Sequence, residues 1–224
     1  MWHAPTSGTI RAPLVSPAAK LGLPIYKSRV GILLLTWHGL AFLWAILIGL
    51  RGGDGKLAMI LLAWTLLSVA LYRIRPGFFI VTAIGLAVTE EVLVYSLGGG
   101  LQGKAKSLSQ DLILTMPVFA GFVLGWFLSL KIQPCSETAL YLGAGLHGFV
   151  LEFLTTGLVF NPTAVLLLGG PALFIYASIV LIPRPPLSRT NCSFSLVRGL
   201  GLWAMTLGLM IIGAVIAGHL LHFA

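Results

Sequence analysis

Seven times along this chain an apolar run of roughly bilayer-crossing length recurs, and that repetition decides what kind of fold the sequence can adopt. The runs cover approximately 30–50, 57–72, 78–98, 112–130, 138–160, 163–182 and 200–223, with punctuation such as RGGDGK, RIRPG, KIQPCSE, NPT and PRPPLSRTNCSFS between them. A hydrocarbon layer of roughly 30 Å takes about 20 residues of helix, and lipid offers no partner to a free backbone N–H or C=O. Each run is therefore expected to be a helix. Composition agrees, since 58% hydrophobic and 9% charged residues lie far from a soluble domain. The expected fold is all-α: a polytopic integral membrane helical bundle of about seven transmembrane helices. The run at 57–72 is the shortest and reads either as a tilted span or as a re-entrant piece. Only Asn161-Pro162 divides the fifth and sixth runs, which makes those helices expected antiparallel neighbours. This single transmembrane domain, 30–224, follows a basic tail, 1–29, that carries Pro5, Pro13, Pro17 and Pro24 and no apolar core of signal-peptide length. No internal repeat and no soluble domain is visible.

Basic residues give the expected orientation. With a cytosolic N-terminus, one side receives Arg11, Lys20, Lys27, Arg29, Arg73, Arg75, Lys131, Arg184, Arg189 and Arg198; the other receives Arg51, Lys56, Lys104 and Lys106. That asymmetry obeys the positive-inside rule only for an odd number of spans, and it places the C-terminus on the non-cytosolic side. The formal charge of +8 is then mostly a topology signal. Clustered basic residues interleaved with aromatics on a soluble face are absent, so nucleic acid is not an expected partner; the bilayer is. Cys135 and Cys192 fall on expected cytosolic loops and read as reduced thiols, with no CxxC or Cys/His spacing suited to zinc.

Against this apolar background the stretch AVTEEVLVY stands out, because it keeps two adjacent acids inside the third run. At about 1.5 Å per residue, Glu90 and Glu91 lie roughly 18–20 Å from the start of that run, too deep for a short side chain to reach either headgroup region. Carboxyls at that depth must face protein, water or a ligand. GAGLHGFVLEF puts His147 and Glu152 at about 14 and 21 Å in the fifth run, which runs parallel to the third in this topology. Gly143, Gly145 and Gly148 thin that helix, so another backbone can approach it. The four residues share a level, and a polar site between the third and fifth helices is the expectation. Tyr95, one turn after Glu91, can instead satisfy that carboxyl in a purely structural clamp.

Other polar positions carry less. His38, about 12 Å into the first run, either joins the cluster, binds haem or packs among aromatics. His219 and His222 are spaced to bind a metal but sit at a helix end suited to the membrane interface; no metal site is expected, and the sequence names no cofactor. Gly121 and Gly125 form a GxxxG that reads as helix packing, and Pro117 and Pro171 read as kinks. In the loop Gly98–Asp111, the Ser/Gln/Asp end reads as a helix start, with Asp111 near the positive end of the fourth helix.

At EEVLVY and GAGLH the sequence resembles the glutamate-dependent intramembrane proteases of the CAAX-prenyl-endopeptidase and bacteriocin-processing family, whose pattern is EExxxR, FxxxH and HxxxN/D on successive helices. The resemblance covers part of the chain and implies Glu90 as water-activating base, with Glu91 beside it and His147 as the later histidine. Tyr95 stands where that family has arginine, Gly143 replaces the phenylalanine, and no HxxxN/D follows. GLAVTEEVLVY is also similar to the PxEExxFF segment of the small membrane-bound lycopene cyclases, with Val88 in place of the proline; this resemblance implies protonation of a buried polyene. The expected function is an intramembrane acid/base enzyme, with Glu90, Glu91, His147 and Glu152 as catalytic candidates and Tyr95 and His38 in support, acting on a lipidic or membrane-peptide substrate. The alternative class is a proton-coupled transporter or a subunit of a membrane complex.

Cysteine-accessibility labelling at single positions near Lys27 and Ala224 is expected to report opposite sides of the membrane. Labelling of both from one side would remove the odd span count.

Overall fold

The computed structural model describes residues 29–51, 55–74, 77–96, 107–133, 135–155, 157–183 and 196–222. Within them the chain forms α1 (Arg29–Leu50), α2 (Lys56–Ile74), α3 (Phe79–Ser96), α4 (Leu108–Ile132), α5 (Glu137–Thr155), a 3₁₀ turn (Leu158–Phe160), α6 (Pro162–Leu181) and α7 (Leu196–His222). Nearly all of the expected tail, Cys192 and most of the loop after α3 lie outside the described residues. Five helices, α1, α3, α4, α6 and α7, are long and apolar enough to cross a membrane. The apolar part of α2 is confined to Lys56–Tyr72, and α5 interrupts its apolar surface with Glu137, His147 and Glu152.

Local chemistry sets the helix ends. Ser107 caps α4 by accepting from the Gln110 N–H, which starts the helix a turn before the apolar run and puts Asp111 in its first turn, where a carboxylate faces the positive end of the helix dipole. The fifth helix is shorter than the expected 138–160. It stops at Thr155, and the left-handed backbone of Gly157 (φ 73°) leads into the 3₁₀ turn. Asn161-Pro162 is thus the end of a longer connection and not the whole of it. There, Asn161 Oδ1 accepts from the Thr163 and Ala164 N–H groups at 3.1 Å, and Pro162 takes the first helical position, where a missing N–H costs nothing.

α6 is the central helix. It touches α1, α2, α3 and α5, and its second half, Leu173 and Ile175–Val180, is buried. A helix apolar all round belongs in such a position. Small residues admit its neighbours: a Cβ on Gly169 would stand 2.8 Å from the Trp37 ring of α1, and Trp37 Nε1 donates to the Leu166 carbonyl at 2.6 Å. From α2, the buried Trp64 donates to Ser178 Oγ at 2.9 Å, and Ser178 passes the bond on to the Ile175 carbonyl at 2.7 Å.

α4 and α7 form the other tight pair. A Cβ at Gly125 would stand 2.7 Å from Thr206 Cα, one at Gly121 would collide with the Leu209 carbonyl, and one at Gly213 with that of Pro117. The GxxxG of α4 is therefore a packing device. Its other faces and those of the peripheral helices present large apolar side chains outward, among them Leu33, Leu40, Val81, Ile211 and Ile212. Such faces are costly in water and neutral in lipid.

Gly125→Val is expected to cost at least the roughly 1–3 kcal/mol of overpacking, because backbone at Thr206 cannot yield. Gly208→Ala, on α7 with open space around it, is expected to be neutral. Thermal unfolding in detergent checks both, and equal behaviour of the two variants would count against the α4–α7 contact.

Candidate functional site

Glu90 and Glu91 sit late on α3, Asp111 in the first turn of α4 and Glu152 in the last turn of α5. The chain has six acids in all, and Asp111 and Glu152 lie within electrostatic range of Glu90 and Glu91. Glu152 and Asp111 are the charges felt at Glu90; at Glu91 they are Glu90, Asp111 and Glu152.

Tyr176 of α6 anchors the fourth acid. Its hydroxyl donates to Glu152 Oε1 at 2.8 Å, and Glu90 and Glu91 are also in electrostatic reach of it. Its ring stacks on Phe119 (5.6 Å between centroids) and meets Phe122 edge-on (5.7 Å). On the α5 side a Cβ at Gly148 would fall inside the Tyr176 ring. Gly148 thus makes room for the ring, and the hydroxyl reaches the carboxyl one turn further along α5.

His147 does not face this group. It is wholly buried, stacked on Trp203 of α7 (4.5 Å, 28°), with Trp126 and Phe122 edge-on at 5.6 and 6.0 Å. Its Nδ1 stands 3.0 Å from the Gly143 carbonyl and its Nε2 3.0 Å from the Trp203 carbonyl, while Trp203 Nε1 donates to Gly143 at 3.2 Å. A carbonyl only accepts and a neutral imidazole carries one N–H, so in either neutral tautomer one of the two contacts is a hydrogen bond; with the Trp203 stack, His147 ties α5 to α7. The three thinning glycines divide their work similarly. Gly145 admits the backbone of α6 at Leu173, whereas Gly143 and Gly148 make room for the Trp126 and Tyr176 rings.

α3 packs on α4 and reaches α6. Glu152 lies within electrostatic range of Glu90 and Glu91. Asp111 and Tyr176 join them without having been singled out as site residues, since Asp111 reads as a helix-start acid and Tyr176 hides in an apolar run. Half-buried Tyr95 has no hydrogen bond to Glu91 among the described residues.

His38 is elsewhere, between α1, α2 and α6. Its ring stacks on Phe174 at 4.2 Å and its Nε2 lies 3.3 Å from Thr65 Oγ1. The side chain of His222 is outside the described residues, so its pairing with His219 is not described. Cys135 is a buried thiol. Among the described residues no three His, Cys, Asp or Glu side chains are placed to hold one metal ion.

No protein-family model matches the chain, and no curated protein and no solved structure is similar to it.

The two kinds of polar residue are expected to respond differently to substitution. His147→Ala removes a stacked ring and the partner of two buried carbonyls and is expected to cost about 2–4 kcal/mol of stability. Glu90→Gln, which keeps size and hydrogen-bonding capacity, is expected to unfold within a few degrees of the parent chain. The reverse order in a thermal melt would exchange the roles assigned here.

Proposed function

We propose that the Glu90/Glu91/Asp111/Glu152 group, with Tyr176, is an acid/base site that moves protons to or from a lipidic substrate within the membrane. The observation that carries this reading is the placement of Asp111 and Glu152, from α4 and α5, within electrostatic range of the adjacent Glu90 and Glu91 of α3, with the Tyr176 hydroxyl on Glu152. A structural clamp is complete with one acid and one donor, as Glu152 and Tyr176 already show. Three further acids exceed that need. Like charges held together share protons, and a group that holds protons in an apolar setting is suited to give one to a carbon–carbon double bond or to take one back.

This favours the chemistry implied by the cyclase resemblance over that implied by the protease resemblance. Hydrolysis of the second kind calls for a histidine beside the glutamates, and His147 instead lies between the Gly143 and Trp203 carbonyls, stacked on the Trp203 ring. In this reading Glu90 and Glu91 exchange the proton with substrate, Asp111 holds Glu91 in position, and Tyr176 orients Glu152. The reading includes seven spanning helices, with α2 and α5 crossing as members of the bundle and their polar groups turned inward. It also includes a cytosolic N-terminus and a non-cytosolic C-terminus, on the strength of the Lys/Arg asymmetry.

Membranes containing the protein, supplied with isoprenoid polyenes in deuterated water, are expected to yield a product carrying solvent deuterium. Glu90→Gln or Glu91→Gln is expected to reduce that incorporation by roughly 10²–10⁴-fold with little loss of folded protein. Proton-linked flux lost in the same variants, with no labelled product from the parent chain, would replace catalysis by transport. Full function in both glutamine variants would end the acid/base reading.

A further inference from the structure

The acid group does not lie midway along its helices. At about 1.5 Å per residue, Asp111 stands about 5 Å from the start of α4, Glu152 about 5 Å from the end of α5 and Glu91 about 8 Å from the end of α3, whereas Glu91 is about 18 Å from Phe79 at the other end of its helix. The three nearer ends belong to one end of the bundle, because Asp111 and Glu152 are both within electrostatic range of Glu91. There the first turn of α4 is polar. Ser107 and Ser109 are exposed, with their hydroxyl oxygens 3.0 Å apart, the Gln110 N–H donates to Ser107, and Gln110, Asp111, Glu90 and Glu91 are each partly exposed. Toward the other end the packing is carbon: Ala83 and Leu86 of α3, Phe122 and Val123 of α4, and Ile179 and Val180 of α6 are buried in one cluster. A proton crosses such a layer only as an unpaired charge, which costs far more than a step between oxygens.

We propose that the acid group exchanges its protons with the aqueous phase at the end of the bundle where α3 and α5 finish and α4 begins, through Asp111 as relay, and is insulated from the opposite phase. The use made of the protons rests on the acid/base reading above; their source rests on the placement of the helices. A hydronium ion at the Ser107–Ser109 turn gives one proton to a carboxylate oxygen of Asp111 and becomes water. The Asp111 O–H then gives that proton to a carboxylate oxygen of Glu91, directly or across one water, and Asp111 is ionised again. The other titratable groups that act on the glutamates or are acted on by them are Glu152 of α5 and Tyr176 of α6, with Tyr95 one turn further along α3. Tyr176 is buried and spends its O–H on Glu152, which is itself in the last turn of α5 at the same end. With the orientation set by the Lys/Arg asymmetry, the phase is the non-cytosolic one, and a proton placed on substrate is drawn from outside the cytosol.

The test uses the full chain in sealed proteoliposomes of one orientation, with pH set separately inside and outside. The probe is dicyclohexylcarbodiimide, an apolar reagent that captures protonated carboxyls, and an impermeant maleimide on a Ser109→Cys variant, read on its own peptide, identifies the phase at which α4 begins. Modification of Glu90 and Glu91 is expected to fall at least about tenfold as that phase is taken from acid to alkaline, and to stay level when only the opposite phase is changed. Asp111→Asn keeps size and loses titration; it is expected to slow the infrared carboxyl response to a pH jump by roughly 10²-fold at an unchanged melting temperature, and Asp111→Glu is expected to restore it. The proposal is overturned by modification that follows the opposite phase, both phases equally or neither, or by an undiminished rate in Asp111→Asn. The parent-chain arm needs no variant, so the sidedness stands or falls on it even if Asp111→Asn does not fold. Solvent-deuterium incorporation separates this inference from the reading it rests on. Incorporation intact, with modification following the opposite phase, overturns the sidedness and leaves the acid/base reading standing. Modification following the phase at which α4 begins, with full function in Glu90→Gln and Glu91→Gln, upholds the sidedness and ends that reading.

Discussion

Helices in lipid gain nothing from leaving water, so what holds this bundle together is the closeness of its backbones. α4 and α7 touch at Gly121, Gly125 and Gly213, and α5 meets α6 at Gly145. Only with the hydrogen atom of glycine at these points can dispersion and short polar contacts act across the interface. Ser129 and Thr206, 3.4 Å apart between hydroxyl oxygens, are such a contact and exist because Gly125 lets α7 in. The aromatic layer around His147 depends on the same approach, since Trp203 of α7 must lie close enough to stack on a ring carried by α5.

Polar side chains in this interior fall into two kinds. His147, Trp64 and Trp37 each end on a defined acceptor from another helix, and in each case the bond joins the helices it comes from. The carboxyls differ. Glu90, Glu91 and Asp111 lie within electrostatic range of one another, and like charges held in a low-dielectric interior are a costly arrangement for a fold. Tyr176 belongs to both kinds, packed between Phe119 and Phe122 on one side while its hydroxyl holds Glu152 on the other.

The sequence carries the helices and the depth of their acids, and it carries little about direction around each axis. The helical runs are legible because lipid forces continuous apolar stretches, and their ends deviate where local chemistry intervenes, as at Ser107 and Gly157. Glu90, Glu91 and Glu152 are conspicuous because so few acids exist. His147 is expected at their level, yet its helix turns it toward α7, and a level fixes only one of the two coordinates that bring side chains together. Asp111 is legible as a helix-start acid and illegible as a partner of Glu91, since that contact depends on how α3 and α4 cross.

The central place of α6 has a consequence for how the chain is made. Trp37 binds the Leu166 carbonyl across 129 positions of sequence, and the notch at Gly169 and Gly170 that receives its ring is synthesised after five helices have already emerged. Until then α2 is the neighbour available to α1 among the helices it packs on most, and the acceptor of Trp37 is not yet in place. Membrane insertion therefore runs ahead of assembly here, with the earliest helix among the last to find its final seat.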